Sequence, residues 1–415
     1  MRRRVPLYAL YGADAISLTG NAVTQIAVPW FVLATTGSAA LTALAVFFNF
    51  LPLVLAAFFG GVVVDRLGFR RTSVVADLAS AGAVAAIPLL YSTVGLPLWA
   101  LMALVFAGSL LDAPGATARA ALLPDLVELA EVPMERASGI RAAIQQGATL
   151  AGAPLGGVLI AATGATNALW LDATSFLVSA GLVVALVPRP RRAAPAEGDG
   201  GGHFFAELRD GLRFLWQRPL VRALIAMVLL SNLVEAPGPV VLAVLAREDY
   251  GGAADFGLLV GALGGGALAG ALAYTVLGHR LPRRRTFLVC FAGVPLGYLA
   301  LAAVPPLPVA IAALVFAGFA AGPINPLIFT VMTEIVPTRM RGRVFGAVRA
   351  IAWAAIPLGI LLGGLMVSAI GPASTFLAMG VLLALVVAYG CFDRAFRGME
   401  RGTTLGPEVA PTSGD

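Results

Sequence analysis

The sequence predicts an all-α polytopic membrane protein, with twelve transmembrane helices arranged as two pseudo-symmetric six-helix bundles. Three observations carry this expectation. The 415-residue chain is 59% apolar and 12% charged, with a mean hydropathy of +0.90, whereas soluble chains carry about 25% charge. Its apolar runs recur at the roughly 20 residues a helix needs to cross a hydrocarbon core of ~30 Å. Arginines gather in alternate connections between those runs. Together they exclude a soluble globule and a disordered chain. The ~10-residue alternation of membrane strands is missing, which leaves helices to satisfy the backbone in lipid.

Read in order, the first six spans fall near 7–34, 41–64, 72–93, 97–120, 137–162 and 166–187. After a polar break come spans near 219–246, 255–277, 286–304, 307–332, 343–370 and 373–395. The chain thus divides into an N-terminal bundle over 1–187, a cytoplasmic linker over 188–218, a C-terminal bundle over 219–395 and a cytoplasmic tail over 396–415. The linker opens on Pro188-Arg189-Pro190-Arg191-Arg192 and loosens through Gly198 to Gly202, small residues that give a flexible coil. From His203 to Arg218, the residues Phe204, Phe205, Leu208, Leu212, Leu215 and Trp216 recur at helical spacing opposite Arg209, Asp210 and Arg213. That is the pattern of a helix lying in the membrane interface.

All 28 basic residues are arginine, and 27 of them are assigned to even-numbered connections or chain ends; Arg247 is the exception. Positive charge marks the cytoplasmic side, so both termini are expected there and the number of spans is even. The formal charge of +6 and isoelectric point near 9.9 therefore reflect topology, and no nucleic-acid partner is expected. Arginine in place of every lysine fits G+C-rich codon usage, hence a bacterial cytoplasmic membrane. No cleavable signal peptide is visible, since the first apolar segment is long and further spans follow it. Cys290 and Cys391 stand in apolar runs without metal or disulfide spacing.

The two halves repeat each other. Val105-Phe106-Ala107-Gly108 reappears as Val315-Phe316-Ala317-Gly318, and Leu123-Pro124-Asp125-Leu126-Val127 answers Met332-Thr333-Glu334-Ile335-Val336. Arg136, Gly139, Gly156 and Gly157 match Arg343, Gly346, Gly363 and Gly364 at a constant offset of 207. Parallel duplication of this kind places a substrate site between the halves near mid-membrane. Gly257, Gly261, Gly265 and Ala269 put a small residue at every fourth position of span 8, the close-packing pattern of membrane helices. Gly264-Gly265-Gly266 lacks a preceding strand and is no dinucleotide site.

The second connection reads Gly61-Val62-Val63-Val64-Asp65-Arg66-Leu67-Gly68-Phe69-Arg70-Arg71. Gly61 allows close helix approach, Gly68 a tight turn, and Asp65 suits a helix N-terminus. Arg66, Arg70 and Arg71 are expected to pair with cytoplasmic carboxylates, Asp125 and Glu128 among them. This string resembles the signature loop of the major facilitator superfamily, with Phe69 where that family usually has a basic residue. The resemblance implies a cytoplasmic gate of Gly61, Asp65, Arg66, Gly68, Arg70, Arg71 and Asp125 that latches the halves together. The equivalent loop of the second half, Gly278-His279-Arg280-Leu281-Pro282-Arg283-Arg284-Arg285, lacks the aspartate, so one half is expected to carry the latch. Thr117 to Val127, Ala206 to Arg213 and Arg341 to Gly346 resemble the drug:proton antiporter branch that includes macrolide, tetracycline and enterobactin exporters. Gly152-Ala153-Pro154-Leu155-Gly156-Gly157 in span 5 is similar to a packing element of exporters in this superfamily, one residue shorter.

A charge inside a spanning helix costs at least ~2.5–3.5 kcal/mol on insertion scales, so each one needs a reason. Asp14, Ser17, Asn21 and Gln25 form a polar stripe along span 1, expected to line a water-filled cavity. Ser231, Asn232 and Glu235 lie in span 7, and an offset of 214 relates Ser17 to Ser231 and Asn21 to Glu235. Asn21 and Glu235 are therefore expected to face each other across the site, with Glu235 as the first proton or cation site and Asp14 as the second. Asp112 stands two helical turns before Arg119 on one face of span 4, a spacing for an ion pair or a coupling role. Asp77 and Asp172 read as helix-packing partners. Asn325, between Pro323 and Pro326, marks a bend or a substrate contact in span 10.

No nucleophile–base pair, metal-ligand cluster or phosphate loop stands out, so an enzyme, a cofactor, a bound metal and an ATP-driven pump are not expected. The expected function is secondary active efflux of hydrophobic or amphiphilic compounds by proton antiport, in a monomer whose partners are small molecules, protons and the bilayer. The alternatives are a dedicated exporter of a siderophore or self-made secondary metabolite, and a non-transporting membrane scaffold or sensor.

Overall fold

A computed structural model describes residues 2–188, 213, 216–337 and 340–400; the side chains of Arg2, Val54 and residues 56–67 and 341–343 lie outside that description. After a 3-10 turn at Arg2–Arg4, the first half consists of α1 (Val5–Thr36), α2 (Ala39–Leu67), α3 (Phe69–Thr93), α4 (Leu98–Ala130), α5 (Met134–Thr163) and α6 (Ala165–Leu186). The second half consists of α7 (Pro219–Glu235), α8 (Gly238–Glu248), α9 (Ala253–Leu277), α10 (Arg283–Ala302), α11 (Leu307–Ala321), α12 (Ile324–Ile335) and α13 (Arg341–Phe392). The twelve crossings are recovered with α7 and α8 as the seventh and α11 and α12 as the tenth. The eleventh and twelfth share α13, which breaks at Gly371, where φ is 77°. Among the described residues, nine helical segments are long and apolar enough to span a membrane, the longest containing both of these last crossings.

The two discontinuous crossings have a common cause. Proline has no N–H to donate four residues back, so Pro237 frees the Leu233 carbonyl and Pro323 frees that of Phe319. Each freed oxygen faces a glycine of a neighbouring helix, Gly359 against Leu233 and Gly270 against Phe319, where a side chain would not fit. A bare Cα next to a carbonyl oxygen offers partial compensation through weak C–H···O contacts.

The repeat appears in the packing. Gly152 and Gly156 of α5 meet Ala22 and Val23 of α1, while Gly359 and Gly363 of α13 meet Ala236 and Pro237. Gly157 then meets Ala253 and Gly257 of the opposite half, and Gly364 meets Ala39 and Ala43 of the opposite half. The small-residue row of α9 serves the same seam, with Gly261 against Pro154 and Gly265 against Leu150. Thus the Gly152–Gly157 element is built into helix packing, two of its glycines within the half and one across the halves.

These contacts gather at the end of the bundle away from the chain termini. A single apolar core there draws on both halves, with Phe31, Val84 and Phe176 from the first and Leu245, Phe256 and Phe376 from the second. At the end that carries the termini each half has its own core, around Leu10, Leu122 and Leu126 in the first and Met227, Phe287 and Met332 in the second. Among the described residues, the halves share one core at the first end, and at the other each half keeps its own.

Some boundaries differ from the sequence expectation. Crossing four was expected to end near 120, yet α4 runs to Ala130 because Leu122, Leu123, Leu126 and Val127 continue its buried face into the first-half core. The tail was expected from 396, but the Arg394–Met399 turn buries Phe396 and Met399 in the second-half core. Phe396 stacks on Phe287 at 5.7 Å. The interfacial helix expected between His203 and Arg218 lies outside the described residues, apart from Arg213, Trp216, Gln217 and Arg218.

Candidate functional site

Five ionisable side chains from four helices of the first half form one network. Arg119 of α4, 1% exposed, donates from Nε to Asp14 Oδ1 at 2.8 Å and from Nη1 to Asp77 Oδ1 at 2.7 Å. Its Nη2 reaches Ser17 Oγ at 3.4 Å and stands 3.8 Å from Asp112 Oδ1. Arg141 of α5 donates from Nε to Asp14 Oδ2 at 2.9 Å, and Ser179 of α6 donates to Asp77 Oδ2 at 2.7 Å. Asn21 donates to Asp112 Oδ2 at 2.9 Å. Asp14 and Asp77 therefore have both oxygens occupied. Asp112 does not: its Oδ1 is buried and has no hydrogen-bond partner among the described residues.

Three carboxylates thus face two guanidiniums. Stripping water from charges costs several kcal/mol per ion, and only close pairing with further hydrogen bonds offsets it. Asp14 and Asp77 meet that condition; Asp112 meets it on one oxygen. At 1.5 Å per residue, Asp14, Asp77, Arg119 and Arg141 lie about 10–16 Å from their helix ends on the terminal side, and Asn21, Asp112 and Glu235 about 24–27 Å. The open oxygen is thus at mid-membrane. A second polar group stands outside the network: Asp172 of α6, accepting from Thr24 at 2.5 Å and Ser175 at 3.2 Å.

In the second half Glu235 ends α7, immediately before the Pro237 break. Among the described residues it makes no hydrogen bond or ion pair; its electrostatic neighbour is Tyr298, which is buried and stacked on Phe376 at 5.9 Å. Asn232 donates to the Ala352 carbonyl at 2.8 Å and ties α7 to α13. The expectation that Asn21 and Glu235 face each other across the site is modified on one side: Asn21 is hydrogen-bonded to Asp112 of its own half. The polar stripe of α1 is also corrected in part. Asp14 and Ser17 are buried against Arg119, and Gln25, three turns further along, is exposed. Asn325 is exposed in the first turn of α12, directly after the break that Pro323 makes.

The expected gate is only partly within view. The side chains of Asp65 and Arg66 lie outside the described residues, as does the surrounding of Gly61. Gly68 makes the turn into α3 at φ 78°. Arg70 does not meet a carboxylate: its Nε donates to the Val187 carbonyl at 2.8 Å and its Nη2 to that of Val184 at 2.7 Å. The unpaired carbonyls at the end of α6 attract a cation for the reason any helix C-terminus does. Arg71 and Asp125 are exposed and make no ion pair among the described residues. In the second half, where the latch was expected to be absent, Arg283 holds Glu334 through two bonds of 2.6 and 2.7 Å.

Sequence reasoning missed Asp77 and Arg141 as network members. Asp77 was read as a packing residue and Arg141 as a loop charge, although both fall inside predicted spans, and that was the available signal. At the joined end, Trp30 stacks on Phe256 across the halves at 6.3 Å, and Arg247 donates to the Leu33 carbonyl.

Residues 3–401 match the sequence profile of the family described as transmembrane secretion effector. The multidrug efflux pump Tap of Mycolicibacterium fortuitum is 32% identical over 393 residues, covering 94% of this chain and 96% of that protein. Tap of Mycobacterium tuberculosis (strain ATCC 25618 / H37Rv) is 32% identical over 385 residues, covering 91% of each. Macrolide efflux protein A of Streptococcus pyogenes is 24% identical, covering 92% and 94%. Among solved structures, the nucleoside transporter NupG superposes with a TM-score of 0.72 at 12% identity, covering 96% of this chain and 99% of that one. That last likeness carries the fold alone.

Proposed function

The chain belongs to the transmembrane secretion effector family of the major facilitator superfamily, and on that premise we propose that it expels hydrophobic or amphiphilic, drug-like compounds in exchange for protons. It is a multi-pass bacterial membrane transporter. In our reading both termini are cytoplasmic, so the end where each half keeps its own core faces the cytoplasm, and we read the state as inward-open.

The observation that carries the reading is the uneven charge of the buried network, three carboxylates to two guanidiniums, with Asp112 Oδ1 open at mid-membrane. A proton on that oxygen neutralises the surplus charge. It also removes the 3.8 Å attraction on Arg119, leaving the guanidinium wholly to Asp14 and Asp77. Asp14 fits the proton-carrying role less well than the sequence suggested, since neutralising it would loosen two arginines at once. Glu235, at matching depth in the other half and without a partner, is the second carboxyl that a proton or a cationic substrate group reaches. A substrate that displaces the proton from either group on the cytoplasmic side, and yields to it on the other, couples export to the proton gradient. Tap and macrolide efflux protein A are named for efflux, which favours export over uptake.

The test uses respiring inside-out vesicles with a ΔpH-reporting dye, to which macrolides, tetracyclines, ethidium or a siderophore are added. Wild type is expected to dissipate ΔpH with at least one drug, and Asp112→Asn and Glu235→Gln to respond to none. Silence of folded wild-type protein across the drugs overturns the reading; a response to the siderophore alone replaces it with dedicated metabolite export.

A further inference from the structure

Arg349 of α13 was counted with the cytoplasmic loop charges, but it lies about 12 Å into the helix at 1.5 Å per residue from Arg341. Among the described residues no carboxylate accompanies it. An arginine near a helix end ordinarily extends toward the membrane surface, and side chains also lean toward their helix's N-terminus. Both tendencies would draw Arg349 outward. Its guanidinium lies over the ring of Trp353, four residues on, at 4.0 Å from the centroid, the usual meeting of side chains on one helix face. The ring face offsets part of the cost of that charge, and no carboxylate among the described residues supplies the rest.

The face of α13 on which it sits is identified by its neighbours. Phe345, one turn before it, packs on Phe329 of α12 at 5.6 Å; Trp353, one turn after it, packs on Phe50 of the opposite half at 6.4 Å. Val344 and Ala347, by contrast, are buried in the core of their own half. Arg349 therefore lies between the Phe345–Phe329 contact with α12 and the Trp353–Phe50 contact with the first half. The result is an exposed cation set among aromatic rings, close to the seam between the halves.

We propose that Arg349 and Trp353 form a subsite for the anionic group of an aromatic substrate, so that the transporter takes carboxylate-bearing or zwitterionic amphiphiles as well as cations. This rests on the efflux reading given above. The guanidinium supplies charge-assisted hydrogen bonds in a planar fork matched to a carboxylate, and Phe345, Phe329 and Trp353 supply flat apolar surface for the ring system. Asp112 and Glu235, deeper in the membrane, remain free for the basic end of the same molecule. A zwitterion would satisfy both ends at once.

The probe is a rhodamine with a free carboxylate, compared with its methyl ester, which shares the ring system and lacks the negative charge. Binding is followed by fluorescence anisotropy on the purified full-length chain, and export by dye loss from energised cells. Arg349→Ala is expected to weaken binding of the carboxylate dye about tenfold or more, leaving the ester unchanged or tighter, while Arg349→Lys restores most of the loss. Equal weakening of both dyes, or no change in either, overturns the inference. So does an Arg349→Ala effect that vanishes once acidic phospholipid is removed, which would make Arg349 a lipid contact. Wild-type export of the ester without binding of the carboxylate dye defeats this inference alone. Export of neither dye, nor of any drug in the vesicle assay, defeats the efflux reading beneath it.

Discussion

Arg70 and Arg284 occupy the second positions of α3 and α10, and each donates to the carbonyls that end the last crossing of its own half: Arg70 to Val184 and Val187, Arg284 to Cys391. The basic loops therefore do the same mechanical work in both halves, neutralising the partial negative charge of a helix C-terminus. The first-half loop carries a signature that the second has lost, yet this arginine contact survives the loss.

That equivalence predicts unequal costs. Arg70 makes two bonds of 2.7–2.8 Å, Arg284 one of 3.3 Å. Replacing Arg70 with alanine should cost about 1–2 kcal/mol, and replacing Arg284 less than ~1 kcal/mol. Thermal unfolding in detergent, with Arg71→Ala as a control for loop charge, reads the difference. Equal losses for Arg70 and Arg71 would show that the carbonyl contacts contribute nothing.

The network predicts that two aspartates of similar sequence context behave differently. Asp14→Asn withdraws charge from both Arg119 and Arg141 in a water-free setting, where removing one partner of a buried pair costs about 3–5 kcal/mol. Asp112→Asn keeps the Asn21 contact and relieves a surplus of negative charge, so stability should change by less than ~1 kcal/mol. Coupling should change the other way: Asp112→Asn abolishes the pH dependence of transport while retaining dye binding. An Asp112→Asn protein that still accumulates drug against a gradient in proportion to ΔpH removes it from the proton path.

What the sequence disclosed follows from how far each signal reaches. Apolar length and arginine placement act within one helix, and they gave twelve crossings with ends right to within a few residues, except where tertiary burial extended α4. The repeat offsets of 207 and 214 reached further, and the packing follows them: Gly156 meets Val23 in the first half and Gly363 meets Pro237 in the second. Partner choice was not legible. Nothing in a linear string says that Asn21 turns to Asp112 and not to Glu235, or that Arg141 reaches Asp14, because those pairings depend on helix rotation about its axis. The breaks at Pro237 and Pro323 were visible as residues, but not the glycines Gly359 and Gly270 that accommodate the freed carbonyls.

Arg283 and Glu334 join α10 to α12 with ideal bidentate geometry, but the Glu334 side chain is 53% exposed. Solvent screening limits such a pair, so a double-mutant cycle with Arg283→Ala and Glu334→Ala should return a coupling of about 0.5–1 kcal/mol, falling with added salt. A coupling above ~2 kcal/mol that ignores salt would mean the pair is sealed from water in solution, as it would be if this end of the bundle closed over it.

The joined end predicts how the equilibrium between states can be moved. A Cβ at Gly157 would lie 2.7 Å from the Ala253 carbonyl oxygen and 2.8 Å from the Gly257 Cα, both backbone atoms that cannot turn aside. Gly157→Leu should therefore force α5 and α9 apart, while the inner ends are free to close. Arg247→Ala removes the donor to the Leu33 carbonyl across the same seam and should act in the same direction, more weakly, by the ~1–2 kcal/mol of one charged hydrogen bond. That is a population shift of roughly five- to thirtyfold toward the state open at this end. Spin labels at Thr36→Cys and Asp249→Cys, exposed on opposite halves, in a protein whose Cys290 and Cys391 are replaced by serine, report the separation. The distance distribution should move outward in Arg247→Ala and further in Gly157→Leu, with export falling in step. An unchanged distribution in folded Gly157→Leu would mean that the helices repack around the new side chain, and that the glycine seam does not set which end of the transporter is shut.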